Sequence, residues 1–370
     1  MLHSIRAHRA IRPSPTIIPT ASKLLNPSTR TYSSPSSKTH TRPSSSAQPD
    51  SPATVPSTSS TSTTSPDDIN PPPSTRPADI NTPDSLPDDA APVDTVKRYI
   101  ALGRAYLSFY KTGLKNVYHN YRTSLPLRNE LGLPVYLPIS PPPKSKTIAF
   151  KNAVEKTGLS RSNFQLIRRA AYDVRRMIPF TLMLIICGEF TPVIVLALGS
   201  AVVPYTCRVP KQLTKDRTQK AARKRAALVA HYVQYTGSVS YTPDQGKELD
   251  LLAQYVNLEW IESASPEEVL RACAVFGLVK THTRPSALVS LVYRARLRRF
   301  AEYLAVDDGL VKRGGGVSAM EGVEVRIAVE ERGGVEMVMR ETGEGVGESD
   351  EWEGEREQRR WLEGWLERRA

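Results

Sequence analysis

The run LMLIICGEFTPVIVLAL, residues 182 to 198, constrains this chain more than any other part of it. From Met177 to Cys207 the only formally charged side chain is Glu189, and Arg175, Arg176 and Arg208 bracket the stretch. A bilayer core about 30 Å thick takes roughly 20 helical residues at about 1.5 Å each, so the pattern predicts one transmembrane helix over residues 177 to 204. Two crossings do not fit. A hairpin turning at Gly188 to Pro192 would leave about a dozen residues per arm, fewer than a spanning helix needs. The competing reading is a buried helix of a large soluble domain, although such helices rarely run this long with so few polar atoms.

Glu189 at membrane depth would cost a few kcal/mol if ionised, less if protonated or facing another helix. Pro192 removes the backbone donor that would bond the Gly188 carbonyl, which would leave a freed carbonyl beside the carboxylate. Gly188, Glu189 and Pro192 are therefore transport candidates for a proton or cation. One helix cannot enclose such a site, so transport would require a homo-oligomer or a partner helix, with Ala197, Ser200 and Ala201 as a close-approach face. The alternative role for Glu189 is a polar association device.

Among 370 residues there are 30 prolines, concentrated before residue 144, so the folded part is expected to be smaller than the length implies. Seven Lys or Arg precede the first acid, Asp50, in a Ser/Thr-rich leader without an apolar core. Residues 1 to 32 thus read as a mitochondrial transit peptide, with an R-x-Y/S cleavage signal at Arg30 to Ser33. Residues 33 to 93 read as a disordered Ser/Thr/Pro-rich linker.

Residues 94 to 125 predict an amphipathic helix, with Tyr99, Tyr106, Tyr110, Leu114, Val117 and Tyr121 on its apolar face, suited to a membrane interface or to packing on a partner. A Pro-rich linker, 126 to 158, and a pre-membrane helix, 159 to 176, follow. After the span lies a basic collar that includes Arg208, Lys211, Lys215, Arg223, Lys224 and Arg225 against the single acid Asp216. The collar suits the positive-inside rule and an anionic lipid such as cardiolipin, and equally phosphate contacts on RNA. Ser265-Pro266-Glu267-Glu268 predicts a capped helix start. In the next helix Val289, Leu297 and Leu304 form a core stripe, with Arg294, Arg298 and Arg299 as a basic rim able to dock on an RNA particle. The fold class expected is all-α: one membrane helix, a helical domain, a disordered N-terminal region, and a flexible Gly/Glu-rich tail over 331 to 370.

Three cysteines, 187, 207 and 273, form no C-x-x-C pair, and six histidines give no H-E-x-x-H. No catalytic constellation is visible; the sequence predicts no enzyme, no cofactor and no metal site.

In order, KRYIALGRAYLSFYKTGLK (97 to 115), LSRSNFQLIRRAAYDVRRMIPF (159 to 180), GEFTPVIVLALGSAVVPYT (188 to 206), PEEVLRACAVFGLV (266 to 279) and YRARLRRFAEYLAVDDGLV (293 to 311) resemble the mitochondrial Letm family. The sequence departs from that family in having no D-x-D-x-D-G calcium loop and no sustained heptads. The resemblance implies a single-pass inner-membrane protein whose residues 205 to 330 form a ribosome-binding-like helical domain in the matrix. It implies that the mitochondrial ribosome is a partner, with roles in membrane-protein biogenesis and ion homeostasis. The alternative is a cation/proton exchanger with its pathway around Glu189.

Overall fold

Proline at the first turn of a helix costs little, because its missing N–H would have no partner there anyway, and its fixed φ suits the helix. Among the described residues the one-turn helix Pro66–Ile69 begins that way, as do α1 (Pro92–Glu130), α4 (Pro210–Thr236) and α7 (Pro266–Val275). The computed structural model describes residues 66–84, 91–135, 139–143, 147–187, 200, 203–236, 244–281, 284–341 and 348–369. The chain divides into residues 1–60 and 61–370, and all described elements belong to the second unit. Besides the three-residue turn Ser286–Leu288, the chain forms α2 (Thr147–Thr157), α3 (Arg161–Cys187), α5 (Gln245–Tyr255) and α6 (Leu258–Ser263). They continue with α8 (Arg294–Arg313), which follows a π-helical turn at Val289–Tyr293, then α9 (Gly322–Glu331), α10 (Val335–Glu341) and α11 (Glu348–Arg368). Among the described residues there is no strand.

The core gathers the first half of α3 (Phe164, Ile167, Ala171) with α5, α7, α8, α9 and α11. The capping box at α7 forms: Ser265 Oγ accepts from the Glu268 amide at 3.3 Å, and the Glu268 carboxylate accepts from the Ser265 amide at 2.9 Å. It satisfies two orphan donors at the start of a helix that is buried along most of its length.

The membrane span is corrected here. Among the described residues no helix is long and apolar enough to cross a membrane. Residues 177 to 187 are instead the end of α3, a 27-residue helix whose earlier turns carry Arg161, Gln165 and Asp173 into the protein interior. At that end Phe180 and Met183 pack, burying with Val203 and Cys207 against Tyr110 and Leu114 of α1, while Ile178, Leu182, Ile185 and Ile186 stay exposed. Most of the expected span after residue 187, with the transport candidates Gly188, Glu189 and Pro192, lies outside the described residues.

Three further expectations change. Part of the linker expected as disordered is folded: Ile69 is fully buried, and Asn70 donates to the Ala319 carbonyl and accepts from the Glu321 amide. Within the Pro-rich segment 126 to 158, α2 forms and buries Phe150 and Val154. The tail expected as flexible contributes α11, whose Trp361, Leu362 and Trp365 are core residues.

Helix α1 is amphipathic, but its buried stripe is Phe109, Gly113, Val117, Asn120, Ser124 and Arg128, and Tyr99, Leu107 and Tyr118 face solvent. Small and polar residues lie inside because other backbone segments come close. Asn120 exchanges hydrogen bonds with Ser74, and the 3-10 turn Tyr205–Cys207 rests on Gly113. A Cβ at Gly113 would stand 2.7 Å from Cys207 Sγ and 2.9 Å from the Thr206 carbonyl oxygen. Gly113→Ala is therefore expected to cost about 1–3 kcal/mol by overpacking, despite alanine's better helix propensity. A urea midpoint at or above the parent's would show that the turn yields freely.

Candidate functional site

Helix α3 presents Arg161, Gln165, Arg168, Arg169 and Tyr172 at three- and four-residue steps, so all five share one side. Opposite lie acids from α8 and α9. Arg161 Nε meets Asp307 Oδ1 at 3.0 Å, and Arg168 meets Glu331 at 2.7 Å. Arg169 grips Glu324 with two parallel bonds of 2.9 and 2.8 Å. Arg332, fully buried, reaches Asp307 at 2.7 Å and Asp308 at 2.6 Å. Four guanidiniums thus face four carboxylates. Burial alone would raise Glu331, but the Arg168 charge and hydrogen bonds from Tyr303 and Arg168 outweigh it and hold the carboxyl at about 2. Asp307 is held well below the ordinary carboxylate range, because Arg161 and Arg332 outweigh its burial.

Arg168, Arg169 and Glu331 of this ion-paired layer floor a cleft of about 1210 Å³ between α3, α8, α9 and the loop 139–143. Arg128, buried under that loop, holds it by donating to the carbonyls of Pro134 and Ile139. Along the cleft the charge balance is lost. Arg175, Arg296 and Arg299 line it, and among the described residues none of the three has a carboxylate within ion-pair distance. They donate to neutral oxygens: Arg175 to Ser140 Oγ (2.6 Å), Arg296 to the Leu278 carbonyl (2.7 Å), Arg299 to the Ala295 carbonyl (3.1 Å). Desolvation, opposed by Tyr172 and reinforced by the charges of Arg168, Arg176 and Arg299, pushes the Arg175 guanidinium below its ordinary value. Ile178, Leu278, Phe300 and Ile327 supply apolar wall. Chemically the cleft can hold an anion that also carries apolar groups. Among the described residues no His, Cys, Asp and Glu cluster could hold a metal ion.

The residues singled out from sequence scatter. Arg299 lines the cleft, but Arg294 donates to the carbonyls of Ile261, Glu262 (3.0 Å) and Ala264 (2.8 Å), capping the end of α6. Arg298 pairs with Glu262 and Glu302. Arg208 binds the Tyr172 hydroxyl at 2.7 Å. On α4, Lys211, Lys215 and Arg225 are exposed, Arg223 bonds Gln219, and Lys224 is buried against Glu248 at 2.5 Å. Sequence reasoning missed Arg175 and Arg296. Their signal was present in the cationic side of α3 and in Arg296 beside the arginines already noted, but which side faced a cleft was not encoded locally.

A second feature adjoins the cleft. The end of α3 exposes Leu182 (58%), Ile185 (75%) and Ile186 (74%), and the first turns of α1 expose Val93, Val96, Tyr99 and Ile100. Lys97, Arg98, Arg104 and Lys111 stand exposed on the same stretch of α1. On α1 itself, exposed apolar side chains interleaved with exposed cations are the pattern of an interfacial surface.

Residues 94–313 match the family model of the pentamidine resistance factor domain, PNT1. No curated protein and no solved structure matches the chain. The match corrects the resemblance to the Letm family, which rested on short motifs around an apolar run; the domain matched is a different one and extends across more than half the chain.

Proposed function

The chain belongs to the pentamidine resistance factor family, whose members are mitochondrial-associated, and from that premise we propose a non-enzymatic, membrane-surface role in mitochondria. The protein seats the exposed ends of α1 and α3 in the interface of the inner membrane. There it offers the basic face of α4 to the mitochondrial ribosome, in support of membrane-protein biogenesis. The observation that carries this reading is the exposure of Leu182, Ile185 and Ile186 at the end of α3, where Phe180 and Met183 pack on Tyr110 and Leu114 of α1 and Lys111 of α1 is exposed. Large aliphatic side chains left this open on a folded protein call for a cover. Lipid is the occupant that the surrounding Lys and Arg fit, because they complement an anionic headgroup layer. The ribosomal part is supported by Lys211, Lys215 and Arg225, which α4 leaves exposed while its Arg217, Lys220 and Lys224 pair with acids of α5, α9 and α10.

Ile185→Glu with Ile186→Glu is expected to lower partition onto anionic vesicles on the order of 100-fold, since burying each aliphatic side chain contributes about 1.5 kcal/mol or more. The helical circular dichroism should be unchanged. Charge reversal at Lys211, Lys215 and Arg225 should leave vesicle binding intact and reduce ribosome co-sedimentation. Vesicle binding that survives the isoleucine changes would reject the membrane seat.

A further inference from the structure

We propose that the arginine cleft between α3 and α8 binds the phosphate headgroup of an anionic phospholipid, whose acyl chains leave along Ile178 and Leu182 towards the apolar end of α3. The proposal deepens the membrane-surface reading and rests on it. Two carboxylates line the cleft, and both are engaged: Glu330 with Arg217 and Lys220, Glu331 with Arg168 and Tyr303. Arg175, Arg296 and Arg299 therefore leave an excess of positive charge facing the cavity. A guanidinium's planar fork matches phosphate oxygens, and an anion among three of them relieves their mutual repulsion.

The apolar side decides between a lipid and a smaller phosphate. Arg175, Ile178, Leu182 and Ile186 succeed one another at three- and four-residue steps, so one face of α3 runs from the cationic cleft to the exposed tip. Ile178 both lines the cleft and is 67% exposed, which joins the two without a polar barrier. A free phosphate has no use for that path. Single-stranded nucleic acid would want open aromatic faces for stacking. Here the Tyr303 ring is covered by Arg168 at 3.4 Å, and Tyr172 has Arg176 and Arg208 within 5.2 and 5.8 Å of its ring centre.

The test uses the full chain and two probes: a short-chain phosphatidylglycerol kept below its micelle concentration, and phosphatidylcholine vesicles with and without diphosphatidylglycerol. Arg175→Gln with Arg299→Gln should weaken binding of the short-chain lipid and the gain from diphosphatidylglycerol by roughly 30-fold, taking about 1 kcal/mol per lost cation. Arg175→Lys with Arg299→Lys should recover part of it, since the charge remains and the fork is lost. Unchanged affinity in the glutamine variant overturns the site. Inorganic phosphate or an RNA oligonucleotide displacing the short-chain lipid as well as intact lipid does would overturn it too. An Ile100→Glu, Ile185→Glu variant, which leaves the face of Ile178, Leu182 and Ile186 intact, separates the two readings: it should lose vesicles and keep the monomeric lipid. If it instead keeps vesicles, the membrane seat fails, while the monomeric lipid still judges the cleft.

Discussion

Arg332→Met is expected to lower the stability of the protein by about 3–5 kcal/mol, enough to unfold a domain of ordinary stability. The guanidinium is fully buried and bonds Asp307, Asp308 and the Ala328 carbonyl. Its removal leaves carboxylates in the interior with part of their compensation gone, and a methionine of similar volume cannot supply it. Urea denaturation followed by circular dichroism reads the effect; a midpoint equal to the parent's would mean that water or a rearranged Arg161 takes over the charge. Acid acts on the same layer. Asp307 and Glu331 have folded pKa values below their ordinary 3.8 and 4.5, so their stabilisation is complete above those values. It is lost as pH falls through the folded values, about 2 for Glu331. Asp173 works in the opposite sense: burial, partly offset by hydrogen bonds from Tyr205 and Thr206, raises it to about 6. Its contribution is lost as pH rises through about 6. Stability of the parent should therefore decline towards acid through the network, and Arg332→Met should flatten that decline as well as lower the plateau.

Trp365→Ala should cost about 3–5 kcal/mol, the range for deleting a large buried aromatic. Trp365 is fully buried, lies parallel to Trp361 with ring centres 6.2 Å apart, and donates its indole N–H to Asp308 at 3.2 Å. The substitution opens a cavity and removes a donor from a carboxylate in the ion layer, so its effect and that of Arg332→Met should not add. Thermal unfolding of the two single variants and the double variant measures the coupling. A Trp365→Ala protein that melts within a few degrees of the parent would place α11 outside the cooperative unit.

How legible this was varies along the chain. The helices between residues 266 and 313 could be read: a capping box fixes the start of α7 by satisfying its own amides, and the spacing of Val289, Leu297 and Leu304 marks the buried side of the following helix. Helix α1 was legible as a helix, and Tyr110, Leu114 and Val117 of its expected face do pack, but the buried stripe is turned towards Gly113 and Ser124, which are inside for closeness of backbone and not for apolarity. The cleft was barely legible. Arg294 and Arg299 lie on one helix as neighbouring cations; one caps α6 and the other lines a cavity, and nothing within five residues of either distinguishes them. The family likewise escaped motif reading, since short runs of arginine and aliphatic residues recur in unrelated helical proteins.

The chain alone determined its helical class and the presence of an unusually apolar stretch before a basic one, because period, capping and composition are local properties that each segment carries with it. Tertiary structure decided which charges became interior. Residues 159 to 176 read as a basic lead-in to a membrane, but α8 and α9 bring Asp307, Glu324 and Glu331 against them from over a hundred residues away. The free energy of a buried cation depends on the partner it meets there, and no window of neighbouring sequence contains that partner.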